Sequence, residues 1–241
     1  RDPLGGVRAA DPDVTAHADG TGVVYPMHDP LRRAERRESV IDAVKQQLGF
    51  IEQRRIDLAA EEQRGRFLEG TGSLVLDHRD RVAYACRSPR TDASLVQEWA
   101  RLMDYEPFLF DAATPDGTPV YHTNVVMWMG TDITGVGLDW VPPAQRGALL
   151  KRLTASGRDI LNLRGGQLRD FAGNMFEVTA PDASQHLVMS ARAAASLDYT
   201  QRVQLARAQC QPLVAAVPTI ERLGGGSVRC MMAEVPLAAC A

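Results

Sequence analysis

The chain has 241 residues, 45% of them hydrophobic, and a formal net charge of −3. Those values allow a single domain with a substantial core, and the charge excludes a basic field for nucleic acid or an anionic membrane surface. No apolar run is long enough to cross a bilayer as a helix, and no charged-then-apolar leader opens the chain.

In chain order the elements repeat. A polar or Gly-rich entry leads into an apolar run, a turn and a second apolar run: "TAHADGTGVVYPM" (15–27), "LEGTGSLVLDHRDRVAYA" (68–85), "YHTNVVMWMGTDITGVGL" (121–138), "FAGNMFEVTAPDASQHLVMS" (171–190) and "GGGSVRCMMAEVPL" (224–237). Each reads as a β-hairpin. Helical patterns lie between them. Residues 31–49 place Val40, Ile41, Val44 and Leu48 on one face and stop at Gly49. Residues 92–104 start at an Asp92 cap and turn Leu95, Trp99 and Leu102 inward. Residues 143–157 carry Leu149, Leu150 and Leu153, and residues 194–211 carry Leu197, Val203 and Leu205. A short strand follows each helix: "GFIEQRRI", "EPFLFDA", "DILNL" and "PLVAAV".

The polar landmarks at the entries are His17, Glu69, His122, Asn174 and Cys230, at intervals of 52, 53, 52 and 56 residues. Units of this size cannot bury their own apolar faces and close around an axis. The expected fold is therefore a radial α/β arrangement with one landmark per repeat facing the centre. The triple glycine at 224–226 lets the last entry turn sharply.

Convergence of the landmarks brings a thiol, an imidazole and a carboxylate together. Cys230 is then a nucleophile that needs a base or cation beside it. His122 relays protons to a leaving amine. Glu69 orients the histidine or holds cationic N–H groups. This set suits attack on an sp² carbon bearing nitrogens. Taken singly, Cys230 before Met-Met reads as a small core residue, His122 as a core histidine and Glu69 as a turn carboxylate; the repeat is what joins them. His28, His78 and His186 fall in turns and are expected to be solvated, as is the face formed by Arg32, Arg33, Arg36 and Arg37. No Cys/His cluster or HExxH pattern calls for a metal, and neither "GTGS" nor "GGGS" is a phosphate loop. Cys86, Cys210, Cys230 and Cys240 form no CxxC pair, so reduced thiols and a cytoplasmic location are expected.

The motifs "FLEGTGSLVLD", "SPRTD", "YHTNVVM", "FAGNM" and "GGGSVRCMMAEV" resemble the pentein, or guanidino-group-modifying, superfamily. The match is to its arginine-deiminase-related, amidinotransferase-like branch, which contains citrulline utilization hydrolase. The resemblance runs from about residue 15 to residue 237. It implies a five-bladed α/β propeller with pseudo-fivefold repeats of 52–56 residues, occupying residues 1–241 as a single domain. It assigns Cys230 as nucleophile, His122 as general acid/base and Glu69 as the acid that holds the substrate's nitrogens. Arg90 is matched to an arginine that binds the substrate α-carboxylate, Arg33 to a second substrate-contacting arginine, and Asn174 to a polar group at the axis. It implies a small amino-acid substrate, citrulline or an arginine derivative, and no metal or organic cofactor. One departure concerns the first blade: relatives carry a Phe-Pro-Asn-Asn segment before "HADG", where this chain reads "VRAADPDVTAHADG". The first blade is therefore expected to be incomplete, with the chain truncated or altered before about residue 15, and an exposed blade edge is expected to favour a homodimer. The alternatives are an arginine deiminase, an amidinotransferase that uses the same thiol adduct, and a non-catalytic pentein acting as a binding protein.

Overall fold

The computed structural model describes residues 14–235. Residues 1–13, where a departure was expected, Cys240 and the end of the last expected hairpin, 236–237, lie outside that range.

The expected hairpin–helix–strand unit forms four times. Strands β1 (Val14–Ala16), β2 (Thr21–Val24) and β3 (Arg54–Asp57) make the first sheet. β4 (Leu74–Asp77), β5 (Val82–Cys86) and β6 (Glu106–Phe110) make the second. β7 (Met127–Met129), β8 (Ile133–Val136) and β9 (Asp159–Asn162) make the third. β10 (Phe176–Thr179), β11 (Gln185–Ser190) and β12 (Cys210–Ala215) make the fourth. In every sheet the first two strands pair antiparallel and the third joins the second in parallel, as a helical crossover requires.

The middle strands are the dry ones. β2, β5 and β8 are buried throughout, and β11 from Leu187 to Ser190, because helices cover one face and neighbouring repeats the other. β4 packs beside β7 and β7 beside β10, so the first strands line the interior. One core joins the second, third and fourth repeats through residues such as Trp140, Leu149, Leu161 and Leu187. A smaller one joins the first two repeats through Tyr25, Trp99 and Tyr105. There Trp99 Nε1 donates to Tyr25 Oη at 3.0 Å, tying the second repeat's helix to the first repeat's hairpin. Burying each such aromatic stabilises the fold by about 2–3 kcal/mol.

The crossover helices depart from the expected spans where polar side chains have distant targets. The span 31–49 is two helices, Pro30–Arg33 and Glu38–Leu48. Between them Arg36 reaches the Tyr25 carbonyl and Glu62. Val40, expected inward, is exposed, and Ile41 is half-buried. The second helix, Ala93–Met103, is capped by Asp92 accepting from Leu95 N–H, and buries Leu95 and Trp99. The third is Pro143–Ala155, with Leu149 and Leu153 buried. The span 194–211 breaks at Leu197, where Asp198 and Gln201 form a capping box for Tyr199–Arg207.

Within the described residues the fifth repeat forms no hairpin. It is a helix, Pro218–Leu223, then the glycine run, exposed at Gly224 and Gly225 and buried at Gly226, and a 3₁₀ turn, Val228–Met231. Arg229 stacks over Phe176, 4.3 Å from the ring centroid, and its Nη1 donates to Met232 O at 2.9 Å, so the turn is pinned against β10. The described architecture is therefore a mixed α/β fold of four small three-stranded sheets. They do not close into the expected five-bladed ring.

Candidate active site

Three entry segments are short helical turns. Glu69 caps Gly70–Ser73, His122 caps the 3₁₀ turn Thr123–Val125, and Ser227 caps the turn that carries Cys230. Buried hydroxyls hold these turns in register. Ser73 Oγ accepts from Glu69 N–H at 2.9 Å and from Thr91 Oγ1 at 2.8 Å, and donates to Arg90 O at 2.9 Å. Thr123 Oγ1 donates to Ser73 O at 2.6 Å and accepts from Cys86 N–H at 2.7 Å. Sequence adjacency thus becomes fixed geometry between the second and third repeats.

The first layer of the site is ionisable. Glu69 is fully buried, and its Oε2 lies 2.8 Å from His122 Nε2. Glu69 Oε1 accepts from the His28 backbone N–H at 2.9 Å, and Oε2 from Arg90 Nη1 at 3.3 Å. Arg32 Nη1 stands 3.9 Å from the same oxygen. Burial works against the charge, but the hydrogen bond and charge of His122, the His28 N–H and Arg90 outweigh it and hold the Glu69 carboxyl below the usual range. An ionised Glu69 fixes the His122 ring with Nε2–H donating.

The second layer is neutral. Asn174 Nδ2 lies 3.2 Å from Cys230 Sγ and 3.2 Å from Asn124 O. Asn124 Nδ2 lies 3.9 Å from the same sulfur and 3.3 Å from Thr71 O. Backbone carbonyls only accept, so both amides are oriented with N–H toward the sulfur. Cys230, Asn124 and Asn174 are each 2% exposed. Among the described residues the buried Asn174 Oδ1 has no hydrogen-bond partner. Gly173 lets these turns meet: a Cβ there would sit 2.0 Å from Val125 O. Gly225 adopts φ +69°, the left-handed turn for which the triple glycine is suited, and its carbonyl accepts from Tyr121 Oη at 2.5 Å. Thr71 and Asn124 also line a cavity of about 330 Å³ with Met127, Trp128, Phe176 and Arg229.

The expected site residues therefore fall into two sets. Glu69, His122 and Arg90 meet in one layer, Asn174 and Cys230 in the other. Arg33 is elsewhere: its Nε donates to Met27 O at 2.9 Å and pairs with Glu62 at 3.3 Å. The neighbouring Arg32 is the one that approaches Glu69, so of the arginine face expected to be solvated Arg32, Arg33 and Arg36 are engaged in contacts, while Arg37 is exposed. His17 is also outside both layers, 2.9 Å from Thr15 Oγ1 and beside Trp99. His28 exposes its ring as expected, but its backbone serves Glu69. Asn124 and Thr71 were not singled out from the sequence, although each follows a landmark by two residues within "YHTN" and "LEGTGS". Burial pushes the thiols of Cys86 and Cys210 up to about 12, so neither is a nucleophile. Among the described residues no group of three or more His, Cys, Asp or Glu side chains is arranged to hold a metal ion.

Comparison with known proteins follows the same lines. The family profile described as N,N dimethylarginine dimethylhydrolase, eukaryotic, matches residues 13–237. No curated protein matches the chain. Among solved structures, apo ArgZ, an arginine dihydrolase from the ornithine-ammonia cycle in cyanobacteria, is 17% identical with a TM-score of 0.68 over 93% of this chain and 32% of its own. This chain thus spans about a third of that protein's length. The product-bound N-terminal domain of ArgZ gives 17% identity and a TM-score of 0.69, covering 96% of this chain and 76% of its own. SxtG, an amidinotransferase from Microseira wollei in the saxitoxin biosynthetic pathway, gives 12% and 0.61, covering 92% of this chain and 66% of its own. At these identities the structures show a shared fold. With the profile covering nearly the whole chain, the protein belongs to the family described as N,N dimethylarginine dimethylhydrolase, eukaryotic, within the pentein superfamily of guanidino-group-modifying proteins.

Proposed function

We propose that the protein is a cysteine-dependent hydrolase acting on the ureido or guanidino carbon of an arginine-like amino acid, with citrulline as the substrate. The observation that carries this reading is the buried Glu69–His122 pair at 2.8 Å beside a layer in which Asn174 meets Cys230 Sγ at 3.2 Å. A proton-handling pair next to a nucleophile is the minimal set for covalent C–N hydrolysis.

Cys230 transfers its proton to His122, and the thiolate adds to the ureido carbon, pushing the C=O electron pair onto oxygen. The tetrahedral adduct collapses, the C–NH2 bond breaks, and His122 protonates the departing nitrogen to give ammonia. A thiocarbamate ester on Cys230 remains. Water, deprotonated by His122, adds to the same carbon and the Cys230 thiolate leaves. The resulting carbamate loses carbon dioxide and yields ornithine. Glu69 keeps His122 Nε2–H bound throughout, so Nδ1 is the nitrogen that exchanges protons. Arg90 is one-third exposed at the rim of this layer and stacks 5.4 Å over Tyr121; it binds the substrate α-carboxylate. Arg33 donates to the Met27 and His28 carbonyls, holding the segment whose His28 N–H serves Glu69. A homodimer belongs to the same reading: β12 exposes Leu213 and Val214, and sedimentation at two concentrations tests it.

The test of the activity is ammonia and ornithine release from citrulline. Release that is lost in Cys230→Ala supports the reading. Ammonia from arginine alone makes the protein a deiminase, and release from neither, by a folded sample, removes the catalytic reading.

A further inference from the structure

We propose that Asn124 and Asn174 are the specificity-determining residues of the site, their amide N–H groups selecting a neutral ureido oxygen over a guanidinium nitrogen at the carbon that Cys230 attacks. This rests on the hydrolase reading above and names what the site distinguishes.

Citrulline and arginine differ at one atom of the reacting group. The ureido oxygen only accepts hydrogen bonds; the guanidinium nitrogen in its place only donates, and brings a positive charge. Around Cys230 Sγ the structure offers donors: Asn174 Nδ2 at 3.2 Å and Asn124 Nδ2 at 3.9 Å. Neither amide is at liberty to turn over. Asn174 Nδ2 also donates to Asn124 O, and Asn124 Nδ2 to Thr71 O, at 3.2 and 3.3 Å. Rotating either amide would set a carbonyl oxygen against a carbonyl oxygen in a buried place, where the lost hydrogen bond is not replaced by water.

The nearby carboxylate does not compensate for arginine. Glu69 already accepts from His122 and the His28 N–H at 2.8 and 2.9 Å and from Arg90 at 3.3 Å. A second cation would enter a layer that already holds Arg90 and, 3.9 Å from Glu69, Arg32. The donors also have a second use. When the thiolate adds to the ureido carbon, negative charge moves from sulfur to the ureido oxygen. N–H groups placed around the sulfur are near both positions and follow that charge. With arginine no oxyanion forms in this step.

The test uses Asn124→Asp and Asn174→Asp, which keep the shape and replace a donor by an anionic acceptor. The kcat/KM values for citrulline and for arginine are measured in the wild type and in both variants, with thermal unfolding as the folding control. The expected result is a fall of at least 100-fold for citrulline, with the arginine-to-citrulline ratio rising at least tenfold. Equal losses on both substrates would overturn the selection, while leaving the hydrolase reading intact. Wild-type turnover of neither substrate defeats that reading instead. Two further arms do not need turnover. In Cys230→Ala, calorimetric binding is expected to favour citrulline over arginine at least tenfold, and the preference is expected to vanish when Asn124→Asp is added; equal binding in Cys230→Ala overturns the proposal. The pH at which iodoacetamide alkylates Cys230, read by peptide mass, is expected to rise by about one unit in Asn174→Asp. An unchanged midpoint overturns the donor role.

Discussion

Glu69 and Asp77 stand at the two ends of one nine-residue stretch, both buried and both facing arginine, yet they are built for different work. Asp77 closes a fork with Arg158 at 2.6 and 2.9 Å, and the guanidinium is almost as buried as the carboxylate. Its Oδ1 also accepts the N–H groups of Arg79 and Asp80, so the hairpin turn saturates it. Glu69 instead accepts from an imidazole, a backbone N–H and a partly exposed arginine, none of which encloses it. A closed bidentate pair has no proton to give and no face to offer a ligand. An open, shared carboxylate can hold a titratable partner in position. The contrast separates a structural ion pair from a site without appeal to burial, which is the same for both.

The widest separation between the two is expected from substitution. Glu69→Gln and His122→Gln should lower kcat about 10²–10⁴-fold, with a smaller loss of unfolding free energy than the structural pair shows. Asp77→Asn should do the reverse, costing about 3–5 kcal/mol because Arg158 is left buried without its partner, with kcat of the folded fraction retained. Urea unfolding and steady-state rates on the same samples check both. If Glu69→Gln costs as much stability as Asp77→Asn, the distinction fails. Next in size is Gly173→Ala. Its Cβ would meet Val125 O, and the expected outcome is a loss of about 1–3 kcal/mol together with displacement of Asn174 from Cys230, read as a raised pH for Cys230 alkylation.

The folded Glu69 carboxyl titrates below its unfolded value of about 4.3, so its contribution is present above that pH and is lost only as the pH falls through the lower folded value. An acid limb of stability above pH 4.3 must come from elsewhere. His17 is the source. Burial chiefly lowers its pKa to about 4, from an unfolded value of about 6.5. Between those values the unfolded chain binds the proton and the folded one does not. Stability is therefore expected to be full above about 6.5 and to fall toward pH 4, by up to about 3 kcal/mol. His17→Gln should flatten that limb without touching kcat at neutral pH. The smallest effect is expected for Tyr121→Phe. Losing the hydrogen bond to Gly225 O costs about 0.5–1.5 kcal/mol, which should appear as a few-fold rise in KM.

What the sequence made legible was whatever is local or periodic. Alternating apolar runs located eight strands of four hairpins, and an Asp92 cap and a left-handed Gly49 marked helix ends that the structure places within a residue or two. The landmark spacing brought out Glu69 and His122, because both cap the same kind of turn one repeat apart. What escaped was set by partners far along the chain. The break after Arg33 serves Tyr25 and Glu62; Asp77 finds Arg158 across 81 residues. Arg32 and Arg33 are adjacent and chemically identical, so only the helix's rotation decides which one approaches Glu69. The landmark pattern predicted one layer because it tracks entry residues. Cys230 sits three residues into its turn, level with Asn124 and Asn174, so a second layer forms that the 52–56-residue spacing blurs. Among the described residues the fifth entry forms a 3₁₀ turn instead of a hairpin, because a glycine-rich entry and an apolar run are also what such a turn requires.

The most direct test of the central claim is an acid quench of the wild-type protein during turnover of citrulline, followed by intact-protein and peptide mass measurement. The expected result is a covalent adduct with the mass of citrulline less ammonia, located on Cys230 and absent from Cys230→Ala. Ammonia release with no adduct on Cys230, or an adduct on another residue, would contradict it.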